Sequence, residues 1–211
     1  MALWYQALLL LCCTLNLVES SAPPPVLQQQ NIYSNSFHLT VTVRTAVQQL
    51  QKRYKEEQWW NKHFEDRNRQ LKGLPLLSTD FHSWLNLTDW DRLHASFRDL
   101  RTYWSMLEGK RKQLEKEEKE RLVGRMTHNT LPKRIGYIQL DLRDLMLHVS
   151  SQMSNISSSW RNSTSSSHVD PETNFSTEWD SRVEGYIILR DLDLYLTKLA
   201  RNFLLLASKT H

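Results

Sequence analysis

The fold is decided near the C-terminus, where residues 189–206 read LRDLDLYLTKLARNFLLL. Apolar side chains return there every three or four residues, which places them along one side of a helix. This stripe consists of Leu189, Leu192, Leu196, Leu199 and Phe203. The pattern predicts a helix over residues 178–208. The five glycines in 211 residues are too few for a turn-rich β-sandwich, so we expect an all-α protein.

Three earlier segments show the same helical spacing. The predicted helices span residues 37–64, 88–123 and 132–153. The second of them begins after Thr88, whose hydroxyl is suited to cap the helix together with Asp91 three residues later. Residues 108–121 carry a mixed-charge run, which we interpret as a solvated helical extension with i,i+4 ion pairs.

The lengths of the connections predict how these helices are arranged. The connections over residues 65–87 and 154–177 are long, whereas residues 124–131 form a short one. The eight residues of the short connection reach at most ~28 Å. The second predicted helix, with about 35 residues, is ~52 Å long. The second and third helices must therefore be antiparallel. A long-short-long order is typical of an up-up-down-down four-helix bundle with two long crossover loops.

The N-terminus has the pattern of a secretory signal. Residues 1–20 contain a short apolar run followed by small residues, and we expect cleavage after residue 20. Residues 21–35 are rich in Pro, Gln and Ser and predict a flexible segment ahead of a helical domain over 36–211. Both cysteines lie within the signal, which excludes disulfides and Cys-ligated zinc in the mature chain. No later stretch approaches a membrane span, so we expect secretion without membrane insertion.

Glycosylation sequons are consistent with an extracellular location. Their acceptors are Asn86, Asn155, Asn162 and Asn174. The formal net charge of +4 is spread among acidic neighbours and does not suggest a nucleic-acid partner. No Gly-rich phosphate loop, His-Glu-x-x-His or Gly-x-Ser-x-Gly motif occurs in the sequence, so we expect no enzyme and no cofactor or metal site.

Some apolar residues fall on the outer sides of the predicted helices. Leu140 and Leu147 point away from the core stripe of the third helix. On the last helix Ile187 and Leu194 do the same, beside the basic residues Arg190, Lys198 and Arg201. Apolar groups with basic neighbours on two helices predict docking of other proteins.

Two tryptophans stand at helix ends, where they are suited either to cap the core or to anchor a partner. Trp84 lies near the end of the first long connection, and Trp179 lies at the start of the last helix. Tryptophan is a frequent interface anchor. Spacing alone favours a core role for Trp84 and leaves the two alternatives open for Trp179.

Several segments resemble a known family. They are QLDLRDL at 139–145, Phe81-x-x-Trp84 with Leu87-x-Asp89-x-x-Arg92-Leu93, and the Leu-rich C-terminus. These segments resemble the interleukin-27 alpha-subunit family, which belongs to the interleukin-6 family of long-chain helical cytokines. The resemblance touches every predicted helix except the first, where it is faint.

The resemblance implies a secreted cytokine subunit in a non-covalent heterodimer. Its partner would be the Epstein–Barr-virus-induced receptor-like subunit. The pair would assemble the interleukin-27 receptor alpha chain and the shared interleukin-6-family signal transducer, and so activate JAK–STAT signalling in immune regulation.

The same resemblance assigns roles to residues of this chain. Trp179 would bind the shared transducer. Binding of the partner subunit would involve Trp84, Ile187, Arg190, Leu194 and Arg201. The receptor alpha chain would contact Arg44, Gln48, Leu140 and Leu147.

Two alternatives stay open. One is a single-chain cytokine of the ciliary-neurotrophic or leukaemia-inhibitory type, active without a partner subunit. The other is an amphipathic protein that binds glycosaminoglycan or lipid through the basic outer faces of its helices. The acidic residues interleaved within residues 108–121 count against the second alternative.

Overall fold

The chain folds into long helices joined by irregular segments. The computed structural model describes residues 25–59, 63–77, 80–121, 130–156 and 177–209. No strand occurs within these ranges, so the all-α prediction is confirmed. The helices are α1 (Pro25–Trp59), α2 (Phe81–Leu85), α3 (Asp89–Arg121), α4 (Leu131–Ile156) and α5 (Glu178–Ser208).

The first helix begins earlier than its sequence predicts. Residues 25–35, predicted to be flexible, form the first turns of α1, and Tyr33 is only 3% exposed. The buried side of α1 extends towards the N-terminus at helical spacing, through Val43, Thr40, Ser36 and Tyr33. Burial of this side stabilises the helix although residues 25–35 are rich in polar side chains. The short α2 was not predicted. The proposed signal peptide over 1–20 lies outside the described residues.

Two helices run antiparallel to α5. The hydroxyl of Tyr54, late in α1, donates to the carbonyl of Arg182, early in α5, over 3.2 Å. On α3, Lys110 donates to the carbonyl of Ser181 over 2.7 Å. At the other end of α3, Arg92 donates to Asn202 over 3.2 Å. Because α1 and α3 both oppose α5, they point the same way.

The position of α4 completes the topology. Gln139 of α4 donates to the carbonyl of Trp104 over 3.2 Å, while Glu118 further along α3 is hydrogen-bonded to Thr130 just before α4. The two helices are therefore antiparallel, and α4 runs parallel to α5. In the described part of the chain α1 does not pack on α3, nor α4 on α5, so these pairs lie on the diagonals. This is the predicted up-up-down-down bundle.

The four long helices bury one shared core. The predicted stripe of α5 is at most 1% exposed throughout. The apolar residues at the same helical spacing on α4 are at most 2% exposed, and they are Ile135, Ile138, Leu142, Leu145, Val149 and Met153. On α3 the leucines of the inward side, Leu93, Leu100 and Leu107, are buried. Phe97 and Trp104 on the same side lie at the edge of the core. The Thr88 cap is confirmed, since its hydroxyl accepts the amide of Asp91 over 3.1 Å and donates to its carboxylate over 2.6 Å.

The first crossover runs along the outer side of α5. Arg190 donates to the carbonyl of Asp66 and, over 2.8 Å, to that of Arg69. Two turns further along α5, Lys198 donates to the carbonyl of Leu76 over 3.5 Å. The crossover therefore returns the chain from the end of α1 to the start of α3, as the long first connection predicted.

The bundle is most tightly packed where α1 crosses α5. A side chain on Gly185 would place its Cβ 2.6 Å from Cζ of Tyr54, inside van der Waals contact. Glycine at this position lets the ring of Tyr54 lie directly on the backbone of α5. The tyrosine then satisfies its hydroxyl on the same helix, at Arg182.

Gly185→Ala is expected to destabilise the fold by about 1–3 kcal/mol, because Tyr54 would have to move. The matched control is Gly109→Ala, at a helical site with open space around the new Cβ. That variant should instead gain about 0.5–1 kcal/mol from backbone entropy. Urea unfolding of both variants measures the difference, and equal stabilities would contradict this packing.

The mixed-charge run on α3 is not solvated throughout. Lys110 is 4% exposed and forms an ion pair with Glu184 of α5 at 2.8 Å. The ammonium also donates to Gln113 over 2.7 Å. The predicted solvated extension is wrong at Lys110, because this side of α3 faces α5. The i,i+4 part of the prediction is confirmed by Arg111 and Glu115, which are 2.6 Å apart.

Burial disfavours the charged forms of both Lys110 and Glu184. Burial lowers the pKa of Lys110 and raises that of Glu184, and in each case the opposite charge of the partner works against the shift. Each ion is therefore tolerated inside the bundle because the other is present.

Lys110→Met is expected to cost about 3–5 kcal/mol, because it leaves the carboxylate of Glu184 buried without its cation. The double variant Lys110→Met/Glu184→Leu should regain most of that loss, since no unpaired charge remains. Urea unfolding of the two single variants and the double variant gives the coupling energy. Strictly additive losses would show that the two groups do not interact.

Candidate functional site

One end of the bundle carries an aromatic cluster that consists of Trp59, Phe64, Trp179 and Tyr186. Trp179 lies in the first turn of α5, which is capped by the Thr177 hydroxyl accepting from the amide of Asp180 over 3.1 Å. The ring centroid of Trp179 is 6.0 Å from those of both Trp59 and Phe64. The side chain is nevertheless 49% exposed. It therefore presents one part of its ring to solvent while the other part is packed.

The remaining rings of the aromatic cluster fix this orientation. Trp59 and Phe64 stack with their centroids 4.2 Å apart, and Tyr186 meets Phe64 edge-on at 5.2 Å. A rigid aromatic side chain loses little conformational entropy on binding. Trp59 and Phe64 thus hold one part of the Trp179 ring, while the rest of the ring faces solvent.

The opposite end presents a second tryptophan on α2. Trp84 is partly buried, and its indole Nε1 donates to Asn202 of α5 over 2.8 Å. Its neighbours Phe81 and Leu85 are 62% and 43% exposed. Phe81, Trp84 and Leu85 follow i, i+3, i+4 spacing and form what we call the α2 apolar face. Trp84 is therefore tied to the bundle and flanks exposed apolar groups.

The two tryptophans are far apart. Trp179 and Asn202, the residue that holds Trp84, are separated by 23 positions of α5, or about 35 Å at 1.5 Å per residue. The two tryptophans therefore lie at opposite ends of the bundle.

The outer face of α5 is only partly accessible. Ile187 is fully buried, so its predicted place on an outer binding surface is wrong. The Arg190 side chain is 15% exposed. It forms an ion pair with Asp191 at 2.8 Å and donates to carbonyl oxygens of the crossover. The crossover lies along this side of α5, where Arg190 and Lys198 donate to its carbonyl oxygens. Leu194 is 51% exposed, and Arg201 is exposed as predicted.

The four residues predicted to meet one receptor chain do not share a surface. Arg44 and Gln48 both donate to the carboxylate of Asp193, over 2.8 and 3.0 Å, and so lie between α1 and α5. Leu140 and Leu147 are 47% and 62% exposed on α4. Leu140 also lines an open groove of about 600 Å³ between α4 and α3. Leu140 therefore borders α3 and α4, whereas Arg44 and Gln48 lie where α1 meets α5.

Two of the four sequons can be located. Asn86, which ends α2, and Asn155, near the end of α4, are both exposed. Asn162 and Asn174 lie outside the described residues.

Within the described ranges, no group of three or more His, Cys, Asp or Glu side chains is arranged to hold a metal ion. Among the helices described, none combines the length and the apolar character that crossing a bilayer requires.

The sequence interpretation missed Arg92 and Asn202, the residues that hold Trp84. Both are buried, at 1% and 8% exposure. A signal was present, because Arg92, Ser96, Tyr103 and Lys110 recur at helical spacing and so share one side of α3. That side packs on α5.

This topology is that of an up-up-down-down four-helix bundle with long helices, the architecture of long-chain cytokines. The sequence model of the ciliary neurotrophic factor family matches residues 17–210. The chain belongs to this family of interleukin-6-type helical cytokines. No individual curated protein gives a significant match. The predicted interleukin-6-family membership is confirmed.

Ile187→Ala and Leu194→Ala form a matched pair on the outer side of α5. Loss of the buried Ile187 side chain should cost about 2–5 kcal/mol, whereas the half-exposed Leu194 should change stability by no more than about 0.5 kcal/mol. Thermal unfolding of the two variants provides the comparison. Similar melting temperatures would mean that the Ile187 side chain is not packed inside the protein.

Proposed function

We propose that this protein is a secreted cytokine subunit of the interleukin-27 alpha type. It pairs non-covalently with the Epstein–Barr-virus-induced receptor-like subunit. The pair then assembles the interleukin-27 receptor alpha chain and the shared signal transducer, which activates JAK–STAT signalling. The observation that carries this proposal is the placement of Trp84 and Trp179 on rigid supports at opposite ends of the bundle.

The Trp179 end is assigned to the shared transducer. A half-exposed tryptophan at 49% exposure, backed by packed rings, has the character of an interface hot spot. The resemblance to interleukin-27 alpha subunits supports the same role for this residue. The surrounding aromatic cluster keeps the ring ready for binding.

The Trp84 end is assigned to the receptor-like subunit. The α2 apolar face supplies two strongly exposed side chains beside Trp84. Leu194 and Arg201 are seven residues apart and therefore share the outer side of α5. These residues form the proposed partner surface, without Ile187 and Arg190.

The outer side of α4 is assigned to the receptor alpha chain. Leu140 and Leu147 are exposed there together with Tyr137, at 55% exposure. Three large apolar side chains on one helix give a surface that a receptor domain can bury. Arg44 and Gln48 are left out of this proposal because they face α5.

A second candidate is a self-sufficient cytokine that needs no receptor-like subunit. The match to the ciliary neurotrophic factor family favours it, because that family description does not by itself imply a paired subunit. The glycosaminoglycan-binding alternative loses part of its basis, since Arg190 and Lys198 donate to backbone carbonyls of the crossover.

Trp179→Ala should impair signalling but not pairing with the receptor-like subunit, whereas Trp84→Ala should impair the pairing itself. The first variant should still be secreted and co-purify with the receptor-like subunit but lose at least about tenfold in STAT phosphorylation, because truncating a hot spot costs about 2 kcal/mol or more. The second should lose co-purification. Both are measured by co-expression, pull-down from the medium and a cell assay.

The chain expressed alone separates the two candidates. Full STAT activity of the secreted single chain, equal to that of the co-expressed pair, would contradict the heterodimer proposal. Retention of Trp179→Ala inside the cell would instead identify Trp179 as a residue needed for folding.

A further inference from the structure

Arg92 is a buried cation beneath the α2 apolar face. Its guanidinium carbon lies 4.8 Å from the ring centroid of Trp84. Nη2 donates to the carbonyl of Trp84 over 2.7 Å and to that of Leu85 over 3.4 Å. Nη1 donates to Asn202 over 3.2 Å, the same oxygen that accepts the indole N–H of Trp84. One side chain thus fixes the backbone and the ring of Trp84 together.

The rest of the network ties this clamp to the bundle. Asn202 donates to the hydroxyl of Ser96 over 3.3 Å, and that hydroxyl donates to the carbonyl of Arg92 over 2.8 Å. The hydroxyl of Tyr195 donates to the carbonyl of Ser96 over 3.1 Å. The position of Trp84 is therefore set by α3 and α5 rather than by the short α2 alone.

Arg92 is poorly explained by stability alone. The side chain is 1% exposed, its Nε is buried with no acceptor, and within the described ranges no carboxylate pairs with it. Asp89, whose charge raises the pKa of Arg92, forms its ion pair with Lys209 at 2.7 Å. A buried cation that has only neutral acceptors is costly, and an apolar side chain of similar size is often at least as stabilising. Most acceptors of Arg92 belong to the region that presents Trp84.

We propose that Arg92 is a positioning residue that presets the α2 apolar face for the receptor-like subunit. This inference rests on the proposed function for the identity of the partner, but not for the effect on α2 itself. With the guanidinium in place, the binding-competent arrangement of Trp84 is the dominant one. Without it, α2 samples other arrangements, and the apparent affinity falls by the fraction of competent molecules.

The test compares Arg92→Met, Arg92→Lys and the exposed control Arg101→Met. Binding to the purified Epstein–Barr-virus-induced subunit and to the shared transducer is measured by surface plasmon resonance. Hydrogen exchange is measured on the free chains at the amides of Ser83, Trp84 and Asn86, which are hydrogen-bonded within or just before α2.

Arg92→Met should bind the receptor-like subunit at least tenfold more weakly than the unmodified chain. Its three amides should exchange at least tenfold faster. Its melting temperature and its affinity for the shared transducer should match those of Arg101→Met. Arg92→Lys should recover only part of the affinity, because an ammonium lacks the planar fork that reaches two carbonyls. If Arg92→Met does not fold, the same comparison of Arg92→Lys with Arg101→Met decides the result.

Unchanged amide exchange would overturn the positioning role, and so would subunit affinity within twofold of the control. If the unmodified chain does not bind the subunit, the proposed function fails, and the exchange of the free chain still tests the positioning role. Faster exchange over α3 and α5 as well as α2 would overturn it in favour of a general structural role.

Discussion

The contact between Tyr54 and the backbone of Gly185 sets how closely α1 and α5 approach. The ring of Trp59 follows one turn later, 5.8 Å from that of Tyr54, and it supports both Phe64 and Trp179. The position of Trp179 therefore depends on a packing contact inside the bundle. A larger separation between α1 and α5 would remove the support on which Trp179 rests.

The register between α3 and α5 depends on polar groups as well as on the core. Lys110 meets Ser181 and Glu184 near the start of α5. Leucine stripes tolerate a shift of one helical turn, because another leucine takes each place. A shift here would leave the ammonium of Lys110 and the carboxylate of Glu184 buried without each other, which is far more costly. This contact therefore favours a single alignment of the helices.

Local spacing was enough to predict the helices and the core of α5, whose stripe and bounds agree with the structure. It failed where burial comes from distant segments. Ile187 faces away from its own stripe and is still fully buried, which the pattern of one helix does not reveal. Similarly, a helical pattern gives the side of α1 on which Arg44 lies, but not which helix packs there. Trp84 was recognised by its neighbours in sequence, whereas its supports Arg92 and Asn202 come from two other helices.

The distance between the two tryptophans has a consequence for dose response. Under the proposed function, the chain bridges two proteins through sites about 35 Å apart on one stiff helix, with no contact between the bound proteins required. In such a bridge, excess cytokine loads each binding protein with a separate molecule and depletes the complete complex. Signalling would then rise and fall as the concentration of the chain increases. A chain that retains only one anchor would compete for its remaining partner and act as an antagonist.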